Sequence, residues 1–281
     1  MTALTDFDSN RLLHRVNVYS AWSLPSTPAQ PFDLLWTNHA GDAPRPHRVL
    51  PSGEPSIAVR RIRAADGEVT ACELVVCCQY TRCCWHSPPP GEEMIALRLK
   101  PELAAGQLGI DPVDYVDANP LPLPRALLQR LEGTRRLAES GGDSRSVARQ
   151  LLQELRLLAG QAAVVSTLGL AVIRLRDSHG MLPMRQLAAE LRVSPRTLHR
   201  QFVDHLGVSP KFFARRLRLN LAALLSDQSA QVQWADVAAA CGFHDQAHLI
   251  NEYQQLVGLT PTASHRERLG LSDFSNSPLP A

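Results

Sequence analysis

The sequence predicts a multidomain α+β protein with a β-rich N-terminal domain, a helical linker, and an all-α domain of two helix-turn-helix motifs joined by a long helix. Three observations lead to this prediction. The chain has 281 residues, which is long enough for two separate cores. Up to Leu99 its apolar runs are short and interrupted by Pro and Gly, whereas after Pro101 they follow a helical period. The C-terminal part contains an internal repeat.

The apolar runs between Val16 and Leu99 predict a small antiparallel β-barrel or β-sandwich. Two helical stretches follow, with the sequences PRALLQRLEGTRRLAES and SRSVARQLLQELRLLAG. In the second stretch Leu151, Leu155 and Leu158 share one face. This face either binds a partner helix or packs on its own domain, and the spacing alone favours neither.

Composition and charge narrow the classes of protein to consider. The formal net charge is +2, which neither indicates nor excludes a nucleic-acid binder. The N-terminus, MTALTDFDSNRLLHR, has acidic residues where a signal peptide needs positive charge, and no apolar run is long enough to span a membrane. We therefore expect a cytoplasmic protein with no membrane partner. Thiols stay reduced in that compartment, so the six cysteines are not expected to form structural disulfides.

The internal repeat is the most informative feature of the sequence. Four positions recur 51 residues apart: Leu198, Phe202, Gly207 and Pro210 match Leu249, Tyr253, Gly258 and Pro261. Each copy reads as a helix, a short turn, a second helix, a glycine stop, and a new helix opened by Ser-Pro or Thr-Pro. This order of signals predicts a helix-turn-helix motif in each copy.

The second helix of each motif has a polar outer face opposite its core residues. In the first copy Ser194 is the predicted N-cap, and Leu198 and Phe202 face the core. The outer face of that helix carries Arg196, His199 and Arg200. In the second copy, capped by Asp245, the outer face carries Gln246, Ala247, Ile250 and Asn251. Such side chains match the hydrogen-bonding and methyl groups of base edges in the major groove of DNA.

The two copies differ in charge, which predicts unequal roles. The stretch from Arg185 to Arg218 is rich in Arg and contains Lys211, whereas from Leu219 to His265 there is no Lys or Arg. Phosphate neutralisation supplies much of the affinity for DNA, so we expect the first motif to anchor the protein and the second to add mainly uncharged contacts. Candidates for phosphate contacts are Ser194, Thr197, Lys211 and Arg215.

The C-terminal residues resemble the DNA-binding domain of the AraC/XylS family of bacterial transcription regulators. The likeness lies in LAAELRVSPRTLHRQFVDHLGVSP, RLRLNLAALLSD and DVAAACGFHDQAHLINEYQQLVGLTP, and it covers residues 164–268. It implies that two recognition helices enter successive major-groove segments, about 34 Å apart. The seven outer-face residues match the family's base-reading positions. Departures such as Asn251, Gln254 and Gln255, where basic residues are common, agree with weaker contacts by the second motif.

The runs RVLPSGEPSI and IALRLKPELAAGQLGI resemble the cupin-type effector or dimerisation domains that precede this module in the family. The expected organisation is a β-rich effector or dimerisation domain at 1–120, a helical linker at 121–163 with candidate dimerisation helices, the DNA-binding domain at 164–268, and a flexible tail at 269–281. The resemblance implies no enzyme activity and no cofactor. The resemblance implies that the protein binds double-stranded DNA. Further candidate partners are RNA polymerase, a small-molecule effector and a second copy of the chain.

The segment CCQYTRCCWH, with Cys72 upstream, leaves three interpretations open. In the first, the cysteines are small core residues, because Leu74, Val76, Cys78 and Tyr80 share one strand face and Val75 and Cys77 the other. In the second, a hairpin at QYTR brings thiols together as a metal or redox sensor. Its weak metal-ligand candidates are Cys77, Cys78, Cys83, Cys84 and His86. In the third, the protein is a cysteine alkyl-acceptor repair enzyme fused to the same module.

Overall fold

The structure is a computed structural model that describes residues 12–16, 19–24, 30–40, 44, 46–51, 54–118, 120–158, 166–228 and 231–269. Its strands are β1 (Leu12–Val16), β2 (Tyr19–Ser23), β3 (Phe32–His39), β4 (His47–Val49), β5 (Ser56–Arg63), β6 (Val69–Cys77), β7 (Cys84–His86), β8 (Glu92–Leu99) and β9 (Leu121–Pro122). Most of the tail predicted at 269–281 lies outside the described residues.

Helices follow the strands along the chain. They are α1 (Pro101–Leu108), a 3-10 helix (Pro112–Tyr115), α2 (Arg125–Arg130), α3 (Glu132–Glu139), α4 (Ser144–Leu158), α5 (Thr167–Asp177), α6 (Met184–Glu190), α7 (Pro195–Leu206), α8 (Pro210–Asp227), α9 (Trp234–Ala240), α10 (Gln246–Val257) and α11 (Pro261–Leu269). The predicted order, a β-rich region followed by an all-helical one, is confirmed.

The N-terminal region is built on a large antiparallel sheet with the strand order β1-β2-β3-β8-β5-β6-β9, and β4 pairs with β7 in a separate small sheet. Strand β8 lies between β3 and β5, and all eight of its residues are buried. Buried charges are costly unless paired. The charged residues of β8 are paired accordingly: Glu92 with Arg60, Glu93 with Arg61, and Arg98 with Asp33.

Helices α3 and α4 cover one face of the large sheet. Leu151 and Leu155 of α4 are fully buried in the same core cluster as Ile57 and Ile95 of the sheet, and Leu158 packs against that cluster. The apolar face of α4 therefore packs on its own domain. The alternative, in which this face binds the helix of a partner, is wrong, because the sheet already occupies it.

The helical region has two cores that share α8. Phe213 and Leu217, in the first half of α8, pack with α5, α6 and α7. Leu219 and Ala222, in its second half, pack with α9 and α10. Because one continuous helix contributes to both cores, each helix-turn-helix motif is held on the other through α8.

A buried group of charges joins the N-terminal region to the helical region. Glu54 Oε1 lies 2.7 Å from Nη2 of Arg176 in α5 and 3.9 Å from Nη2 of Arg216 in α8, and Glu54 Oε2 lies 3.3 Å from Nε of Arg98 in β8. Burial opposes ionisation of Glu54, but the three arginine charges outweigh it and lower its pKa to about 2. Glu54 is therefore ionised and links both regions at neutral pH.

Candidate nucleic-acid interface

Helix α7 is the second helix of the first motif, and local signals set where it begins and ends. The hydroxyl of Ser194 accepts a hydrogen bond from the Thr197 backbone N–H at 3.0 Å, and Pro195 occupies the first turn. Gly207 ends the helix with φ of 68°, the left-handed conformation that favours glycine. Leu198 and Phe202 are buried in the motif core. All of these were predicted from the sequence and are confirmed.

The outer face of α7 is open to solvent. Arg196, His199 and Arg200 are all exposed, and none of them forms a hydrogen bond or ion pair with the described residues. They follow the helix N-terminus, where backbone N–H groups and the helix dipole favour an anion such as a phosphate. The structure thus places three exposed polar side chains on one face of α7, close to its N-terminus.

Helix α10 repeats this geometry in the second motif. Asp245 accepts a hydrogen bond from the His248 backbone N–H at 2.7 Å, and Leu249 and Tyr253 are fully buried, as predicted. On the outer face Gln246, Ala247 and Asn251 are exposed and Ile250 is half-buried. This surface has amide and methyl groups but no positive charge.

The four candidates for phosphate contacts lie in different surroundings. Lys211 is exposed at the start of α8. The hydroxyls of Ser194 and Thr197 hydrogen-bond each other at 2.8 Å as part of the cap of α7. Arg215 is paired instead, with Nε 2.7 Å from Glu252 and Nη2 2.7 Å from Oε1 of Gln255. The guanidinium of Arg215 is thus engaged with α10. Its contact with a phosphate stays a prediction.

Sequence reasoning missed how α8 holds the second motif. Arg218 donates through Nη1 to the carbonyl of Gly242 at 3.1 Å, and its guanidinium lies 5.0 Å from the centroid of the Phe243 ring. With Arg215, it ties α8 to the turn and helix that present Gln246. The only sequence signal was the arginine-rich run RRLRL, which also fits an ordinary solvated helix.

Comparison with known proteins agrees with this geometry. The family model described as "Helix-turn-helix domain" matches residues 187–267. The transcriptional activator RhaS of Escherichia fergusonii is 31% identical over 159 residues, which cover 52% of this chain and 54% of the relative. The helical region is similar to DNA-binding domains of the AraC type, and we call it the AraC-type domain below. The chain spans about half the length of this relative and about a quarter of RhaS from Pectobacterium atrosepticum, which is 35% identical over 75 residues, 27% of this chain.

Solved structures include similar domains. A transcriptional regulator with an AraC-type DNA-binding domain, from Chromobacterium violaceum, is 29% identical and matches 36% of this chain and 91% of its own, with a TM-score of 0.34. ToxT from Vibrio cholerae is 10% identical and matches 90% of this chain and 98% of its own, with a TM-score of 0.42.

None of the six cysteines lies on the outer face of α7 or α10. Leu74 and Val76 of β6, and Cys78 just after it, lie in the main core with Tyr80 packed against it, while Val75 and Cys77 belong to a cluster on the other sheet face. The predicted alternation is confirmed. Burial raises the pKa of Cys77 to about 12 and that of Cys78 to about 11, which disfavours the reactive thiolate.

Residues 79–82 do not form the hairpin that the sensor interpretation required. Strand β7 pairs with β4 rather than with β6, so Cys77 of β6 and Cys84 of β7 lie in different sheets. Cys83 packs against the second core of the AraC-type domain. Among the described residues, no group of three or more His, Cys, Asp or Glu side chains is placed to bind a metal ion, and no helix is long and apolar enough to cross a membrane.

These surroundings predict slow thiol chemistry. At about pH 8 we expect Cys77, Cys78 and Cys241 of the native protein to resist Ellman's reagent, because burial raises the pKa of each thiol. All six cysteines should react once guanidinium unfolds the chain. Labelling is followed by mass spectrometry of peptides. Rapid labelling of Cys77 or Cys78 in the folded protein would contradict the assignment of these residues to the core.

Proposed function

We propose that this protein is a sequence-specific DNA-binding transcription regulator. The observation that supports this proposal is the pair of exposed outer faces on α7 and α10, at equivalent positions of a repeated motif. Each face follows a capped helix N-terminus and lies opposite a buried core face. Two such helices on one scaffold can enter successive major-groove segments on one side of the duplex.

The two helices have different chemical roles in this proposal. On α7, Arg196 and Arg200 can each donate two hydrogen bonds to O6 and N7 of a guanine, and His199 adds a further donor. On α10, Gln246 and Asn251 can pair with adenine edges, while Ala247 and Ile250 contact thymine methyl groups. Ser194, Thr197 and Lys211 are the proposed phosphate contacts beside the first helix.

The N-terminal region is proposed to be a non-catalytic regulatory domain that binds a small effector or a second copy of the chain. It is joined to the AraC-type domain through the ion pairs of Glu54 with Arg176 and Arg216. A conformational change in one region can therefore affect the other through these ion pairs. RNA polymerase is a further proposed partner, and a cytoplasmic location follows from action on chromosomal DNA. The high pKa values of Cys77 and Cys78 disfavour the thiol-sensor and alkyl-acceptor alternatives.

Selection from random double-stranded DNA tests the proposed function. The full-length protein is expected to enrich sites with two conserved blocks whose centres lie about 10 base pairs apart, one for each recognition helix. Bound sequences are read after successive rounds, and footprinting locates the protected bases. Failure to enrich any sequence above the input pool would refute the proposal, and enrichment of a single block would refute the role of α10.

A further inference from the structure

One short segment of the N-terminal region contacts the last turn of both recognition helices. The final carbonyls of a helix have no partner within that helix. Gln79 donates through Nε2 to the carbonyl of Leu206, the last residue of α7, at 2.7 Å. Four residues later the backbone N–H of Cys83 donates to the carbonyl of Leu256, in the last turn of α10, at 2.8 Å. Residues 79–83, which we name the clamp, therefore bind both helices.

The contact of the clamp with α7 is tightly packed. Gln79 is 1% exposed, and its Nε2 also donates to the carbonyl of Pro112 at 3.1 Å. Its backbone N–H donates to the carbonyl of Tyr115 at 2.9 Å. At Gly207, which follows Leu206, a Cβ atom would lie 2.6 Å from Cγ2 of Val116. The end of α7 is thus seated against the N-terminal region with no room for a side chain.

The contact with α10 extends beyond Cys83. Arg48 of β4 donates through Nη1 to the carbonyl of Val257 at 3.5 Å, and its Nε lies 3.2 Å from a carboxylate oxygen of Glu267 in α11. The guanidinium is stacked 4.6 Å from the ring centroid of Trp85, its cross-strand partner in β7. The small β4-β7 sheet therefore packs with the second motif, although it belongs to the N-terminal part of the chain.

The middle of the clamp is anchored to the N-terminal region. Thr81 donates through its backbone N–H to Oδ1 of Asp117 at 2.6 Å and through its hydroxyl to Oδ2. Asp117 has φ of 53°, a left-handed conformation that is unusual for a residue other than glycine. The backbone N–H of Asp117 in turn donates to the carbonyl of Gln79 at 2.9 Å. The two ends of the clamp cannot move independently without breaking these bonds.

We propose that the clamp sets the separation of the two recognition helices and that Gln79 is its positioning residue on α7. This inference rests on the proposed function, in which α7 and α10 enter successive major-groove segments. The clamp holds the C-terminal ends of both helices, away from the N-terminal ends that face the bases. The clamp can therefore affect the separation of α7 and α10 without covering the side chains that are proposed to contact bases. A ligand or partner that moves residues 79–83 therefore changes which half-site separation the protein prefers.

The test compares DNA sites that differ only in half-site separation. The sites are the two selected blocks at their native separation, the same blocks with one base pair added or removed, and the first block alone. Gln79→Met keeps the length of the side chain but removes its N–H donor, and Gln153→Met changes an exposed glutamine of α4 as the matched control. Arg48→Met removes the neighbouring contact of the β4-β7 sheet with the end of α10. Affinities are measured with the full-length chain.

We expect Gln79→Met and Arg48→Met to reduce the preference for the native separation by about threefold to tenfold, the effect of losing one or two hydrogen bonds. Affinity for the first block alone should stay within about twofold, because the outer face of α7 is unchanged. Gln153→Met should behave like the unchanged protein. If Gln79→Met does not fold, as judged by circular dichroism, Arg48→Met decides the comparison.

Two outcomes overturn the inference in distinguishable ways. If the unchanged protein selects two-block sites but Gln79→Met and Arg48→Met both keep its full spacing preference, the clamp does not set the separation, and the proposed function is unaffected. If the unchanged protein selects no sequence, the proposed function fails and the role of the clamp fails with it.

Discussion

Replacing Glu54 with glutamine is expected to lower the free energy of unfolding by about 3 to 5 kcal/mol, the usual cost of removing one partner from a buried ion group. The substitution removes the carboxylate that faces Arg216, whose side chain is 2% exposed, whereas Arg176 keeps its other ion pair, with Glu102 at 3.2 Å. The measurement is urea unfolding followed by circular dichroism at about pH 7. Glu68→Gln is the matched control, because Glu68 is exposed and should change stability by less than about 0.5 kcal/mol.

The pH dependence of this effect follows from the lowered pKa of Glu54. The folded value is about 2 and the ordinary value is 4.5, so the folded protein binds the proton less readily than the unfolded chain does. The stabilisation by ionised Glu54 is therefore complete above about pH 4.5 and is lost as the pH falls towards 2. The stability difference between Glu54→Gln and the unchanged protein should narrow over that range. A difference that is constant from pH 7 to pH 3 would contradict this assignment.

Replacing Arg200 with alanine is expected to weaken binding to the selected DNA site by about tenfold to a hundredfold, the effect of losing one bidentate contact to a base. Asn251→Ala should cost less, because α10 has no positive charge and its contacts are predicted to be modest. The salt dependence of DNA affinity also distinguishes the Arg200 variant from the Asn251 variant. If Arg200 also neutralises a phosphate, its removal reduces the slope of log affinity against log salt by about one unit, whereas removal of Asn251 leaves it unchanged.

Arg145→Ala provides the control for this comparison. Arg145 is an exposed arginine on α4, so its removal changes the net charge by the same amount at a distance from the recognition helices. Affinities are measured over a series of salt concentrations for all three variants. A greater loss of affinity for Asn251→Ala than for Arg200→Ala would show that the second motif is the anchor and would reverse the proposed roles.

The repeated motifs could be predicted because their signals are local. Ser194 with Pro195, the glycine at 207, and the four-residue spacing of Leu198 and Phe202 each act within one or two helical turns. The same signals at Asp245 and Gly258 predicted α10, and the structure confirms both helices with the expected residues buried. The base contacts of the outer faces stay predictions, because they concern DNA rather than the fold of this chain.

The cysteine segment was only half predictable. The alternation of Cys77 and Cys78 between sheet faces follows from the period of a strand, and it is confirmed. The hairpin at QYTR, on which the sensor interpretation depended, does not form, because the partner of β7 is β4, a strand that comes long before it in the sequence. Turn residues predict pairing only between neighbouring strands, so that choice of partner was not visible in the segment itself.

The sequence by itself determined the two helix-turn-helix motifs, their caps and their outward-facing residues, because backbone geometry and side-chain periodicity act over a few residues. Only the tertiary structure decided that α4 packs on its own sheet, that Glu54 is shared by three arginines, and that Gln79 reaches Leu206, 127 positions away. These contacts depend on which surfaces the folded chain brings together. The cysteines of CCQYTRCCWH suggested a site of metal or redox chemistry. In the structure this segment instead contacts α7 through Gln79 and α10 through the backbone of Cys83.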